Sequence, residues 1–433
     1  SPTVSVSSFG INAFPTELNP EQSQGGLRHL RTIQLNDNRI SEIPKGFYHL
    51  TLLTCIRLDD NRINRISSAV RRMTDLNELS LRRNRLKQNG LPVEALLSLT
   101  ALKILDLNLN LTLSPPAEVL RQDVHQIFRF MTATHAVDKG DDSLHLTDFR
   151  LKVFPKANAL KHIRNLNLAD NVIRDFPMQI LTISKLDDLN LSNNLLCDVP
   201  AEISRLVQIR RLSLQSNNLT RMPDEVGNLE DLVDLDVSSN QLVALPETMA
   251  PQKGKSGGLR YLRQLCASRN KLRTLPRGLS SMASLWKLNL DYNNLDSLPD
   301  SFEGLAELRT LSLDANNLRT LPPSIGRLLC LQEFTATKNG FAGMLPSVAK
   351  LPNLKRFSLS DNCVRTLPKT IGSMEMLSYL DLERNEMETL APLHMLKNLE
   401  VLKLKRNFIR LIPPEVEKLV KLKEFDISEN QLV

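Results

Sequence analysis

Aromatic residues make up only 4% of the 433-residue chain, with a single tryptophan, Trp286. A core built on a few large rings is therefore not expected. Cysteine is equally sparse. Cys55, Cys197, Cys266, Cys330 and Cys363 stand far apart and form no C-x-x-C pair. That excludes a cysteine zinc site and argues against a disulfide framework, so a reducing, cytoplasmic setting is the expectation. No run of 18 apolar residues occurs and the first residues lack a signal-peptide pattern, so no membrane span is expected. The net charge of +7 arises from 55 basic and 48 acidic residues that are interspersed, which speaks against a nucleic-acid surface. The seven histidines never fall into H-E-x-x-H, and no G-x-S-x-G elbow or kinase motif set is present. Gly254-Lys255-Ser256 has the tail of a phosphate-binding loop, but Met249 stands where the motif needs its first glycine. No catalysis, cofactor or metal is expected of this segment.

What the chain does contain is leucine, in a frame set by a recurring asparagine. Asn38, Asn61 and Asn84 are followed by Asn110, then Asn171, Asn194, Asn217 and Asn240, then Asn270, Asn293, Asn316, Asn339, Asn362, Asn385, Asn407 and Asn430. Most are 23 residues apart, in the pattern L-x-x-L-x-L-x-x-N-x-L followed by x-x-L-P; Leu285 to Pro299 fills every slot. Alternating L-x-L predicts a short strand with leucines on one face and the intervening residues on the other. One such strand cannot bury its apolar side alone, but stacked copies share a core. The predicted fold is α/β: a leucine-rich-repeat solenoid, curved like a horseshoe, with a parallel sheet on its concave face and short helical or extended turns on its convex face. The asparagine turns the chain out of the strand and hydrogen-bonds backbone groups there.

The pattern starts twice. Val4-x-Val6-x-x-Phe9-x-Ile11-x-x-Phe14-Pro15 and Leu144-x-Leu146-x-x-Phe149-x-Leu151-x-x-Phe154-Pro155 both carry phenylalanine in the asparagine slot. They read as opening turns of two blocks, 1–110 and 143–433. Between them, 111–142 breaks the frame. Pro115 and Pro116 precede apolar residues at Val119, Leu120, Val124, Ile127, Phe128 and Met131, a spacing that predicts an amphipathic helix closing the first block. Asp138-Lys139-Gly140-Asp141-Asp142 reads as the joint. The polar stretches Asn19–Gly26 and Pro251–Gly258 read as surface loops. The chain begins at Ser1 without methionine and stops inside a repeat, so a piece of a longer protein is expected.

The residues between the strand leucines form columns on the solvent face. The middle column, which includes Asp236, Cys266, Ser312, Asp381 and Lys403, is mostly small and polar. Two patches are candidate partner sites: an acidic one of Asp234, Asp236, Asp291 and Asp314, and a mixed aromatic one of Arg356, Tyr379, Asp381, Glu383, Lys403, Lys405 and Arg406. Tyr and Arg are the types that most often carry interface energy. In the first block Arg57, Arg82 and Arg83 give a basic inner face, with Arg71 and Arg72 on the return side.

Pro299-Asp300-Ser301-Phe302-Glu303-Gly304-Leu305 and Pro322-Pro323-Ser324-Ile325-Gly326-Arg327-Leu328 resemble the return segment of cytosolic, Ras-associated leucine-rich repeats, as in plant Ras-group-related proteins and Scribble-like scaffolds. Ser114-Pro115-Pro116 with Gln122 is similar to the tail that closes such arrays, although Asp123 replaces the usual glycine. The resemblance implies a protein–protein interaction scaffold for small-GTPase, polarity, signalling or cytoskeletal complexes. It leaves open a regulatory or substrate-recruiting region of a larger kinase, phosphatase, cyclase or ubiquitin ligase, and a ciliary assembly component.

Overall fold

A computed structural model describes residues 2–16, 27–87, 90–110, 115–155, 160–252, 256–344 and 346–433. The whole stretch 19–26, residues 253–255 (Lys255 among them) and Ser114 lie outside the described residues, so the expected surface loops there are not described in full. The chain folds as two compact units, residues 1–163 with 170–172, and 164–169 with 173–433.

In the second unit each repeat contributes a three-residue strand, from Asn165–Asn167 to Glu424–Asp426. Every strand is parallel to its neighbours, and the pairing always sets leucine or its equivalent against leucine, as with Leu288 against Leu311 and Phe334 against Phe357. Leu288, Leu311 and Leu380 are fully buried, while Ser312 and Asp381 on the opposite side are half-buried. This is the period-two alternation of a sheet with one dry and one solvated face. The architecture is an α/β leucine-rich-repeat solenoid.

Proline sets the return path. Pro322 is extended (φ −65°, ψ 143°) and leads into a short 3-10 helix, Pro323–Arg327, which buries Ile325. Pro200, Pro223 and Pro368 do the same before Ala201–Arg205, Asp224–Asn228 and Lys369–Ser373. A fixed φ and a missing N–H cost nothing at such a helix entrance. These turns stack closely: a Cβ on Gly326 would sit 2.3 Å from the Ser347 carbonyl oxygen of the next turn. Only glycine allows that approach.

The asparagine forms the link between turns. Asn316 Nδ2 donates to Leu313 O (3.1 Å) in its own turn and to Leu290 O (3.0 Å) in the turn before. Its Oδ1 accepts from Leu295 N (3.0 Å), also in the turn before. The same pattern recurs at Asn217, Asn293 and Asn385. Just before each of these asparagines sits a residue in the left-handed region. In the second unit these are Asn193, Ser216, Ser239, Arg269, Tyr292, Ala315, Lys338, Asp361, Arg384, Arg406 and Glu429, at φ between 51° and 58°. Few are of the types that favour such a conformation, so the sequence does not announce it.

The first unit contains a five-stranded parallel sheet, Thr3–Ser5, Thr32–Gln34, Cys55–Arg57, Glu78–Ser80 and Ile104–Asp106, and a further strand, Ser143–His145. Its helices are α1 (Val93–Leu97), α2 (Ala117–Leu120) and α3 (Val124–Asp138). The expected single amphipathic helix is therefore two. Asp123 breaks it by acting as an N-cap, its side chain accepting from Gln126 N (3.0 Å), so the helical phase restarts. In consequence the buried ring is Phe130, while Phe128 is only half-buried. α3 packs against α1, α2 and strand Ser143–His145.

Candidate binding surface on the sheet

The mixed patch in the second unit is built by adjacent strands. Parallel pairing sets Arg356 beside Tyr379 and Ser358 beside Asp381. The Arg356 guanidinium lies over the Tyr379 ring at 4.0 Å, a cation–π contact on the solvent side of the sheet. Ser358 Oγ donates to Asp381 Oδ2 (3.0 Å), and Glu383 N donates to Asp381 Oδ1 (3.0 Å). Burial, then the neighbouring Asp381, push the Tyr379 hydroxyl up, and the same two causes raise Glu383. The cations on the next strands are partnered: Lys403 Nζ lies 3.5 Å from Glu424, and Lys405 (3.1 Å) and Arg406 both reach Glu429. Adjacent strands thus carry Arg356, Tyr379, Asp381 and Lys403, with Arg356 and Tyr379 as a stacked pair, while Glu383, Lys405 and Arg406 follow in the turns that leave those strands.

The acidic patch is divided. Asp234 and Asp236 share one strand, which pairs with Gln264–Cys266 and through it with Lys287–Asn289. Asp291 and Asp314 lie at the exits of the following strands, and both are used inside the unit. Asp291 accepts from Ser312 Oγ (2.7 and 2.8 Å) and Asp314 N (2.7 Å), and Asp314 accepts from Thr337 N (2.7 Å). Burial is the main cause that raises the Asp291 carboxyl above its ordinary value. Asp236 accepts from Ser238 N (2.9 Å) and Oγ. Cys266 faces this acidic ground half-buried, and burial raises its thiol. A second arginine–tyrosine stack, Arg269 over Tyr292 at 4.5 Å, borders the patch. Arg269 is not among the residues picked out from the sequence; it and Tyr292 both occupy the left-handed position just outside the strands.

The basic face expected in the first unit is partly neutralised. Arg57 pairs with Glu78 (2.6 Å) and Arg83 with Asp60 (3.5 Å). Glu78 is drawn below the usual carboxylate range, chiefly by its bond to Arg57. Among the described residues no group of three or more His, Cys, Asp or Glu is placed to hold a metal, and no helix is long and apolar enough to cross a membrane.

The two phenylalanines in asparagine slots part company. Phe149 is fully buried, whereas Phe9 is 77% exposed. Phe149 lies edge-on to Phe130 (5.3 Å, 88°), under the Arg129 guanidinium (4.6 Å), and its carbonyl accepts from Gln122 Nε2 (2.6 Å). The ladder explains the choice of residue. An asparagine serves the turn before it, and where a helix stands in that place the slot is free for an apolar ring.

The Leucine Rich Repeat family model matches residues 284–305 and 307–328. A search of curated proteins returns no match. Among solved structures, a leucine-rich-repeat protein of Leptospira interrogans is similar over 98% of this chain and 95% of its own, at 27% identity and a TM-score of 0.61. The Toll–Spätzle complex of Drosophila is similar over 97% of this chain and 59% of that one, at 18% identity and a TM-score of 0.62. The plant peptide hormone receptor RGFR1, solved in complex with RGF2, is similar over 99% and 78%, at 22% identity and a TM-score of 0.54. With its stacked turns and asparagine ladders, the chain has a leucine-rich-repeat architecture, and residues 284–305 and 307–328 match the family's repeat itself.

Proposed function

We propose that the solvent face of the second unit's sheet is a protein-binding surface, and that the chain is a non-catalytic interaction scaffold. The observation that carries this reading is the Arg356–Tyr379 stack, an aromatic–cation pair held on a flat ground of small polar side chains. Pre-ordered Tyr and Arg side chains lose little entropy on binding, which suits them as anchors. Asp381, Glu383, Lys403, Lys405 and Arg406 form the polar surround. Asp234, Asp236, Asp291 and Asp314 give a second, acidic contact area for the same partner. In the first unit, segment 111–142 closes the block that ends at residue 110, and 143–433 forms the other block. The resemblance of the 23-residue repeat to the Ras-associated type supports a role in small-GTPase or polarity-type signalling. All five cysteines are free, which supports a cytosolic setting.

The test changes Arg356, Lys403, Lys405 and Arg406 to Glu together and compares partner capture with the unaltered protein. Loss of a binding hot spot of about 2 kcal/mol corresponds to roughly thirtyfold weaker capture. Equal recovery by a variant with unchanged circular dichroism removes this face from consideration.

A further inference from the structure

In the second unit the residue just ahead of each strand forms a column of its own, because its N–H donates to the carbonyl of the equivalent residue one repeat earlier. Val233 N reaches Arg210 O (2.8 Å), Arg263 N reaches Val233 O (2.7 Å), and Trp286 N reaches Arg263 O (2.9 Å). The series continues with Arg309 N to Trp286 O (2.8 Å), Gln332 N to Arg309 O (2.9 Å) and Lys355 N to Gln332 O (2.8 Å). At its two ends the column pairs base with acid, Arg164 with Asp187 and Lys423 with Glu400, both at 2.9 Å. From Arg210 to Ser378 it holds no acid. There a cation occupies every second place, Arg210, Arg263, Arg309 and Lys355, with Val233, Trp286 and Gln332 between them. All four cations are exposed and Trp286 is half-buried. Among the described residues none of the four has an ion pair or a side-chain hydrogen bond, although Asp231, Asp234, Glu307 and Glu333 stand in the flanking columns.

We infer that this column is a docking track for an acidic, proline-containing segment of a partner protein that carries a carboxylate at every third residue. The spacing specifies the occupant. Parallel strands lie about 4.8 Å apart, so alternate members of the column are about 9.6 Å apart. A polyproline II chain rises about 3.1 Å per residue with three residues per turn, so its residues i and i+3 share one face about 9.3 Å apart. Four such carboxylates span about 28 Å, against about 29 Å for the six strand steps from Arg210 to Lys355. A β-extended peptide would instead turn i and i+3 to opposite faces. Trp286, midway between Arg263 and Arg309, supplies the aromatic surface against which proline rings of such a chain pack. Charge complementarity fixes the register, since each carboxylate meets a cation that has no acid of its own. The column shares no residue with the sheet patches proposed above, so either reading stands or falls alone.

The probe is a labelled synthetic peptide of four Glu-Pro-Ala repeats added to the intact chain and followed by fluorescence anisotropy. Saturable binding is expected, with at least about a tenfold loss when Arg263→Glu and Arg309→Glu are combined. A similar loss is expected for a peptide of the same composition whose glutamates form one run. Because both arginines are exposed, the double variant is expected to keep the melting temperature of the parent, which separates lost binding from lost folding. The peptide comparison needs no variant at all. Absence of binding, equal binding of the regrouped peptide, or binding indifferent to the double variant overturns the inference. So does tighter binding of a single-stranded oligonucleotide, or a loss confined to the variant with Arg356, Lys403, Lys405 and Arg406 changed to Glu.

Discussion

Asn316 is 6% exposed, and its amide has carbonyls of two successive turns around it. Truncating it leaves the Leu295 N–H buried without its acceptor, while the Leu290 and Leu313 carbonyls each keep one donor, Asn293 Nδ2 (3.0 Å) and Asn339 Nδ2 (2.9 Å). At about 1–3 kcal/mol for one such unpaired group, Asn316→Ala is expected to cost roughly 1–3 kcal/mol, measured by urea unfolding. Asn316→Asp is expected to cost more, because it turns a carboxylate oxygen toward two carbonyls. An aspartate variant as stable as the alanine variant contradicts this assignment of the donor. The role was legible in the sequence because the asparagine recurs in a fixed frame. Its left-handed neighbour was not, since Tyr292, Ala315 and Lys338 share no chemistry. The internal use of Asp291 and Asp314 was hidden for a different reason. The N–H and hydroxyl groups they accept from lie one repeat further on, and only the stacked structure brings them together.

At the scale of the element, one slot in the repeat pattern has two outcomes. Phe149→Ala removes a fully buried ring and is expected to destabilise the first unit by about 3–5 kcal/mol, whereas Phe9→Ala is expected to stay within about 0.5 kcal/mol. Thermal unfolding of the two variants decides it, and equal shifts would remove α3 as the cover of Phe149. The sequence marked both phenylalanines as alike because their frames are alike. The difference depends on α3, whose phase was misread. Counting apolar residues from Pro116 without the Asp123 cap picks Phe128, and restarting at the cap brings Phe130 to the inside. The leucine strands suffered no such ambiguity, because a period of two with three-residue strands leaves no room for drift.

At the scale of the molecule, stability is a sum over neighbouring turns, so a single costly group is felt throughout its unit. Asp291 is such a group. Its carboxyl is raised above the ordinary 3.8, so the folded state binds its proton more readily than the unfolded chain does. That term favours folding below the unfolded value and is lost as pH rises through the folded one. Asp291→Asn keeps an acceptor for Asp314 N and is expected to exceed the parent in stability at neutral pH. The gap is expected to shrink as pH falls toward the carboxylate range, and a gap independent of pH in denaturant titrations would refute the account. The asparagine ladder also has a direction. Each rung repairs the rung behind it and awaits repair from the one ahead, so the array is a ratchet in chain order. A turn therefore has its buried N–H groups fully paired only once its successor is folded against it, as Leu295 N is by Asn316 and Leu318 N by Asn339.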